Sequence, residues 1–250
     1  MSLIPPQLAE TLREARRVTV LTGAGVSAES GLPTFREAQT GLWAKYRPED
    51  LATPEAFGRD PRLVWEWYAW RRELVARAAP NAGHRALAAL RSRVPELTLI
   101  TQNVDGLHQQ ASSANVIELH GNIGRTKCSV ENVVIESWPA TDAVPPPCPR
   151  CGGLLRPDVV WFGERLPELA LAEAARAAQE CDLFLSVGTS GVVEPAASLP
   201  LLAADRGATV IFVNLEVSNA ASPPLYTING PSGQVLPALL DAAWPDGEAF

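Results

Sequence analysis

The sequence predicts an α/β protein built on a parallel sheet, with a smaller discontinuous part beside it. Three observations predict this. Apolar runs of strand length alternate with amphipathic helical patterns, as in sheets covered by helices on both faces. Each run ends in glycine or small polar residues, and such sheets bind ligands at the carboxyl ends of their strands. Two stretches, 37–83 and 122–159, break the alternation.

The elements follow in order. "RVTVLTGAGVS" (17–27) reads as a buried strand running into a glycine turn. "AGHRALAALRSRV" (82–94) has helical spacing, and "LTLITQNVDG" (97–106) is a second strand ending in polar side chains. "VIEL" (116–119) is strand-like and leads into His120. "PELALAEAARAAQE" (167–180) is helical, and "CDLFLSVGTSG" (181–191) and "ATVIFVNLE" (208–216) are further strands. The GAGVS, QNVD, GTS and NLE segments therefore gather at one edge. Within the first irregular stretch, "WEWYAWRREL" (65–74) forms a helix at about 100° per residue. Val64, Trp67, Tyr68, Val75 and Ala78 share its apolar side, and Arg71 falls in the middle of that stripe. Arg72 points off the stripe, to the surface.

Composition narrows the function. The 250 residues are 46% hydrophobic and 20% charged, enough for a sizeable core in one domain with an insert or in two small domains. A net charge of −7 argues against nonspecific nucleic-acid binding, which needs a basic face. No run approaches the roughly 18 apolar residues of a membrane span. "MSLIPPQLAE" lacks the basic start and long apolar stretch of a secretion signal, so a cytoplasmic location is expected. Four cysteines are too few for a disulfide scaffold of this size and suit a reducing compartment.

Gly23-Ala24-Gly25-Val26-Ser27-Ala28 fits a dinucleotide-binding turn, in which glycines let backbone amides approach a pyrophosphate. A tight turn without ligand is the plain alternative. No acidic residue closes a second strand about 20 positions on, which disfavours an ordinary dehydrogenase. Asn214 and Glu216, ending a late strand, could hold a ribose instead. Gln102, Asn103 and Asp105 end a strand at the ligand edge, beyond what turn chemistry requires. His120 also sits at a strand end, where an imidazole can act as general base near neutral pH. His84 and His108 fall on helical patterns and read as structural. Cys148 and Cys151 form C-P-R-C, and Cys128 stands 20 positions before Cys148, an incomplete zinc-ribbon set in which Glu131 occupies the position of the missing thiol. Cys181 opens a core strand and reads as a buried apolar residue.

"TGAGVSAESGLPTFR", "TQNVDGLH", "ELHGN", "PDVVWFGE", "VGTSGVVEPAA" and "NLE" together resemble the sirtuins, NAD-dependent protein-lysine deacylases, from about residue 15 to 240. The resemblance implies a Rossmann-like NAD-binding domain (1–36, 84–121 and 160–250) and a small domain with helical and cysteine-bearing parts (37–83 and 122–159). It implies NAD as co-substrate. Gly23, Ala24, Gly25, Ser27, Phe35 and Arg36 would line the pyrophosphate and nicotinamide-ribose pocket. Gln102, Asn103 and Asp105 would surround the nicotinamide and its ribose, with Asn103 and Asp105 stabilising the positive charge that develops on the sugar. Gly188, Thr189, Ser190, Asn214, Glu216 and Ser232 would hold the adenosine half. His120 would be the general base. Val160, Trp161, Phe162, Gly163 and Glu164 would pair with the substrate backbone and wall the acyl-lysine tunnel. The partners implied are proteins carrying acylated lysine.

Two departures from the family pattern matter. Glu131 replaces a zinc cysteine, so a structural zinc would rest on Cys128, Cys148 and Cys151 with Glu131 or water fourth; loss of the metal is the alternative. Tyr68-x-x-Arg71 marks the class that removes succinyl, malonyl and similar acidic acyl groups, and Ala52 matches a position where that class keeps a small residue. An acyl-chain carboxylate would answer the guanidinium on the apolar stripe, with the Tyr68 hydroxyl sharing it. Otherwise Arg71 covers tryptophan faces and serves packing alone. The leading expectation is removal of acidic acyl groups with acetyl secondary. The alternatives are a mainly acetyl-lysine deacetylase, a mono-ADP-ribosyl transferase and a noncatalytic NAD or ADP-ribose sensor.

Overall fold

The structure is a computed structural model that describes residues 4–33, 45–215 and 223–245. Phe35, Arg36 and Glu216 lie outside the described residues. Eight strands are described: β1 (Arg17–Thr22), β2 (Glu96–Thr101), β3 (Ile117–Glu118), β4 (Gly121–Cys128), β5 (Leu155–Val159), β6 (Leu183–Val187), β7 (Thr209–Asn214) and β8 (Leu225–Asn229). Six of them form one parallel sheet in the order β3-β2-β1-β6-β7-β8. The chain works outward from β1 to one edge, then returns beside it and works to the other. That reversal places a topological switch point between β1 and β6, where open parallel sheets bind ligands.

Alternation along the strands divides the core. Val18 and Val20 of β1 face one side with Leu183, Leu185, Ile211 and Val213. This side is covered by α1 (Pro6–Glu14), the helix Ala82–Leu90 and the helix Ser232–Ala243. Leu21, Ile100, Phe184 and Val210 face the other, under the helices Glu168–Glu180 and Leu199–Asp205. Burial on both faces explains why these strands read as unbroken apolar runs. Thr19 is tolerated in the buried strand because its hydroxyl donates to the Ala177 carbonyl at 3.0 Å.

β4 and β5 pair antiparallel, away from the main sheet. Against them packs the helix Pro61–Arg77, which carries the aromatic segment. The Asp60 side chain caps its start, accepting from the Leu63 amide at 3.0 Å, and Pro61 occupies the first turn, where no N–H is needed. Val64, Trp67 and Tyr68 are buried, as the stripe predicts, while Glu66, Glu73 and Arg77 are exposed. Arg72 corrects the surface expectation. It is half-buried, and its guanidinium donates to the carbonyls of Ile123 (2.7 Å) and Arg125 (3.2 Å) and to the Thr126 hydroxyl (3.1 Å). Arg72 thus ties the helix to the bulged strand β4. No described helix is long and apolar enough to cross a membrane.

Candidate active site

The glycine turn sits at the switch point, and its glycines are required by the neighbouring strand. The Gly23 amide donates to the Val187 carbonyl at 3.0 Å and the Gly25 amide to the Gly188 carbonyl at 2.9 Å. A Cβ at Gly23 would lie 2.7 Å from the Gly188 oxygen, and one at Gly25 would lie 2.8 Å from the Gly188 Cα. Gly188 itself has φ +62°, and a Cβ there would meet the Val26 nitrogen at 2.5 Å. Two backbones therefore touch with no side chain between them, and the amides of Gly23 and Gly25 are spent on that contact. This corrects the sequence-based rationale for those two amides: they bind the end of β6, not a phosphate. Gly188→Ala is expected to destabilise the fold by about 3 kcal/mol through left-handed strain and overpacking, read as a lowered denaturant midpoint.

The polar end of β2 is wired to this turn. The Asn103 side-chain amide donates to the Gly23 carbonyl at 3.0 Å and to the Ser27 hydroxyl at 3.1 Å. Ser27 in turn donates to Asp105 at 2.7 Å. The other Asp105 oxygen accepts from the Leu107 amide at 2.9 Å. Ser27, Asn103 and Asp105 thus form one chain of hydrogen bonds, with Asn103 and Ser27 buried. Below it the Thr101 hydroxyl accepts from the Asn103 amide (3.0 Å) and from Thr22 (2.9 Å), and Thr22 pairs with His108 at 2.9 Å. The His84 ring packs tilted against His108, with centroids 4.8 Å apart. Burial holds both histidines below their ordinary pKa, His108 at about 3, so they stay neutral and brace the loop.

A cavity of about 240 Å³ opens beside these groups. Gln102, Thr189, Ser190 and Asn214 line it, together with Leu21 and Phe212. The Asn214 amide donates to the Thr189 carbonyl at 2.8 Å, joining the ends of β6 and β7. Four of the residues expected at a dinucleotide thus converge from three strand ends. The residues present fit NAD. Ser232 does not line this cavity; its buried hydroxyl donates to Glu29 at 3.0 Å at the start of the last helix.

His120 stands two residues beyond β3, and its Nδ1 lies 2.9 Å from the Gln102 carbonyl. A carbonyl only accepts, so Nδ1 carries the proton and Nε2 keeps the basic lone pair. Burial lowers the pKa, with the Gln102 bond opposing. Gly121 follows with φ +78°, and a Cβ there would collide with the Asp158 carbonyl.

Beyond His120 the segment 160–164 forms a tightly bonded turn. The Val160 amide donates to the His120 carbonyl (2.9 Å), the Phe162 amide to the Ala52 carbonyl (2.9 Å), and the Trp161 amide to Glu164 (2.8 Å). These amides serve the chain's own packing, so an added peptide strand must use other groups of the loop. Phe162 is exposed and Gly163 has φ +86°. Ala52, Tyr68 and Trp161 share one buried cluster with Phe57 and Trp67. Arg71 is half-buried and lies over the Trp67 ring, 5.1 Å from its centroid. Burial pulls the Arg71 pKa down, and Tyr68 and Asp105 pull it back up. The guanidinium therefore feels both the aromatic pocket and the polar loop of β2.

Residues 23–195 match the Sir2 family. The chain belongs to the Sir2 family. It is 52% identical over 246 residues to the NAD-dependent protein deacylase 1 of Pseudomonas aeruginosa, covering 95% of this chain and 98% of that protein. It is 56% identical over 204 residues to the NAD-dependent protein deacylase of Aquifex aeolicus, covering 81% and 85%. Among solved structures, a Sir2 homologue in complex with NAD superposes with a TM-score of 0.87 at 45% identity, covering 97% of this chain and 95% of that one. A Sir2 complex with a p53 peptide and NAD+ gives 0.78 at 31% identity, covering 92% and 94%.

The cysteine expectation can be tested against this Sir2 fold. Donor atoms of Cys128, Glu131, Cys148 and Cys151 all lie within 4.8 Å of one another. Thiolates around a tetrahedral zinc sit about 3.8 Å apart, given zinc–sulfur bonds of about 2.3 Å. The amides of Val130 and Glu131 point at the Cys128 sulfur, each at 3.4 Å. Glu131 also accepts from Arg150 at 2.6 Å, which offsets negative charge in a donor set of three thiolates and a carboxylate. The set fits a structural zinc, which would cross-link the end of β4 to the 148–151 turn. Protein prepared without chelator is expected to carry zinc by elemental analysis, and Glu131→Cys to retain it through a stronger chelator challenge. Absence of zinc from the wild-type protein would overturn the site.

Sequence reasoning missed Arg156. It is a buried arginine in β5, and its guanidinium grips both Glu164 oxygens at 2.6 and 2.9 Å. A charge in an otherwise buried strand, eight residues before a carboxylate in an aromatic turn, was the available signal.

Proposed function

We propose that this chain is an NAD-dependent protein-lysine deacylase that prefers succinyl, malonyl and similar acidic acyl groups and removes acetyl groups secondarily. The observation that carries the preference is the placement of Tyr68 and Arg71 on one helix face, Tyr68 in the cluster that holds Ala52 and Trp161 and Arg71 over the Trp67 ring of that cluster, with Arg71 also under the influence of Asp105. One arginine thus borders both an aromatic acyl pocket and the loop expected to hold the nicotinamide ribose.

In this reading Gln102, Thr189, Ser190 and Asn214 bind NAD in the cavity between the strand ends, and Ser27, Asn103 and Asp105 orient its nicotinamide ribose. Bound NAD supplies a glycosidic bond whose cleavage releases nicotinamide and an ADP-ribose that takes the acyl group from lysine. Asn103 and Asp105 present fixed acceptors to the positive charge that develops on the sugar. His120 accepts a proton at Nε2, while the Gln102 carbonyl holds its tautomer. Trp161 and the rest of the 160–164 turn exclude water from the lysine chain. Arg71 and Tyr68 receive the terminal carboxylate. The division into an NAD-binding part (1–36, 84–121, 160–250) and a small part (37–83, 122–159) is supported by β4 and β5 forming a sheet of their own.

The test is a panel of succinyl-, malonyl- and acetyl-lysine peptides with NAD, reading nicotinamide release and deacylated peptide. Higher kcat/KM on the acidic chains is expected. Acetyl turnover equal to or above succinyl would overturn the preference, and no nicotinamide release with any peptide would overturn the enzyme.

A further inference from the structure

The Tyr68 oxygen lies 3.0 Å from the indole nitrogen of Trp161, and both side chains are buried. An indole N–H can only donate, so the direction of this bond is fixed: Trp161 gives and Tyr68 accepts. With that lobe of the phenol occupied, its own proton must turn away from Trp161. Burial pushes the Tyr68 pKa up to about 12, so the proton stays on at any physiological pH. Among the described residues no protein atom accepts it. Tyr68 is therefore a committed donor.

Trp161 is immobilised on every side. Glu164 takes its backbone N–H, and the Arg156 guanidinium carbon stacks 3.2 Å from its ring centroid. Phe57 packs at 5.2 Å between centroids. Arg156 holds Glu164 with two charge-assisted bonds and donates to the Val159 carbonyl at 2.8 Å. So extensive an arrangement exceeds what walling a tunnel with an aromatic ring requires. A wall needs an aromatic ring but not an N–H donor.

We propose that Trp161 is a specificity-determining positioning residue: its indole N–H sets the Tyr68 hydroxyl as a donor toward the terminal carboxylate of an acidic acyl chain beside Arg71, and the Arg156–Glu164 pair holds Trp161 in place for it. This rests on the acidic-acyl reading of the site. An acetyl group has no terminal carboxylate, so the orientation of that hydroxyl bears on acidic chains alone. The measure is therefore the ratio of kcat/KM for succinyl-lysine to that for acetyl-lysine peptide, because lost wall contacts affect both substrates.

Trp161→Phe keeps an aromatic ring and removes the donor. It is expected to lower the ratio about 5- to 10-fold, mainly through the succinyl KM. Tyr68→Phe is expected to lower it at least as much, and Trp161→Phe added to Tyr68→Phe to change it no further, since the bond it serves is already gone. Glu164→Gln, which weakens the clamp, should lower the ratio by a smaller factor in the wild-type background and leave it unmoved in Tyr68→Phe. Thermal melting of each variant separates unfolding from these effects. A wild-type ratio in Trp161→Phe, or losses that multiply with those of Tyr68→Phe, would overturn the inference while the acidic-acyl reading stands. A wild-type enzyme without succinyl preference would overturn both.

Discussion

Arg71→Met is expected to reduce kcat/KM for succinyl-lysine by about 10- to 100-fold while lowering that for acetyl-lysine only a few-fold. Methionine keeps a long apolar side chain over the Trp67 ring, where the guanidinium now lies, so packing is largely conserved. What is lost is a permanent charge in a half-buried place, and a substrate carboxylate is worth most to a charge already stripped of water. Burial alone would push Arg71 toward neutrality, and the nearby Tyr68 and Asp105 counter it. A bound acyl carboxylate would add a third and closer anion. A charge-assisted contact of about 1.5–3 kcal/mol accounts for the expected loss, which should appear in KM if the contact forms equally in ground and transition states. The measurement is steady-state kinetics on both peptides with matched flanking sequence. Equal losses on the two substrates would assign Arg71 to packing against tryptophan.

The fold was legible because burial on both faces leaves a direct mark in sequence. β1, β2, β6 and β7 are apolar runs that stop at glycine or polar residues, and the structure ends them within a residue or two of those signals. β8 was not legible. "LYTIN" follows two prolines and precedes Gly230, so turn-forming residues surround a strand of five, and most of its residues are half-buried because it lies at the edge of the sheet. The same limit applies to the site. Polar side chains at strand ends pointed to Gln102, Asn103, Asp105 and His120, and the structure groups Asn103 and Asp105 in one hydrogen-bond chain and sets His120 against the Gln102 carbonyl. The turn glycines were legible as residues but not in their cause, since their contact with Gly188 joins positions far apart in the chain. The contact that fixes the Ser232 hydroxyl, with Glu29 more than 200 positions away, was likewise not legible.

The neighbouring arginines show where periodicity succeeds and where it fails. Helical spacing correctly placed Arg71 beside Tyr68. It sent Arg72 to solvent, because a helical wheel knows nothing of the next element. The carbonyls of Ile123 and Arg125 lie across from that flank, exposed by the bulge in β4, and a guanidinium fork satisfies them together with Thr126. One arginine thus fixes the helix on the small sheet, which leaves the other at a defined position over the aromatic pocket.

Substitution of His120 by alanine is expected to lower deacylation by about 10²- to 10⁴-fold, the range lost with a positioned general base. The proposed role of this histidine rests on geometry. The Gln102 carbonyl at 2.9 Å takes the Nδ1 proton, so the free lone pair is on Nε2, and Gln102 also lines the cavity that fits NAD. The pH dependence follows from the sign of its shift. Burial favours the neutral imidazole and lowers its pKa from the ordinary 6.5. In the proposed mechanism the neutral form is the working base, so kcat/KM should already be on its plateau at neutral pH and should fall only as pH drops below 6.5 through that lowered value. Burial lowers His84 and His108 too, His108 to about 3, so the acidic limb is assigned to His120 by substitution as well as by its position. A pH–rate profile of the wild type, with His120→Ala assayed at the plateau, checks both points together. An acidic limb at or above pH 6.5, or a His120→Ala variant with wild-type turnover, would remove His120 from the chemistry.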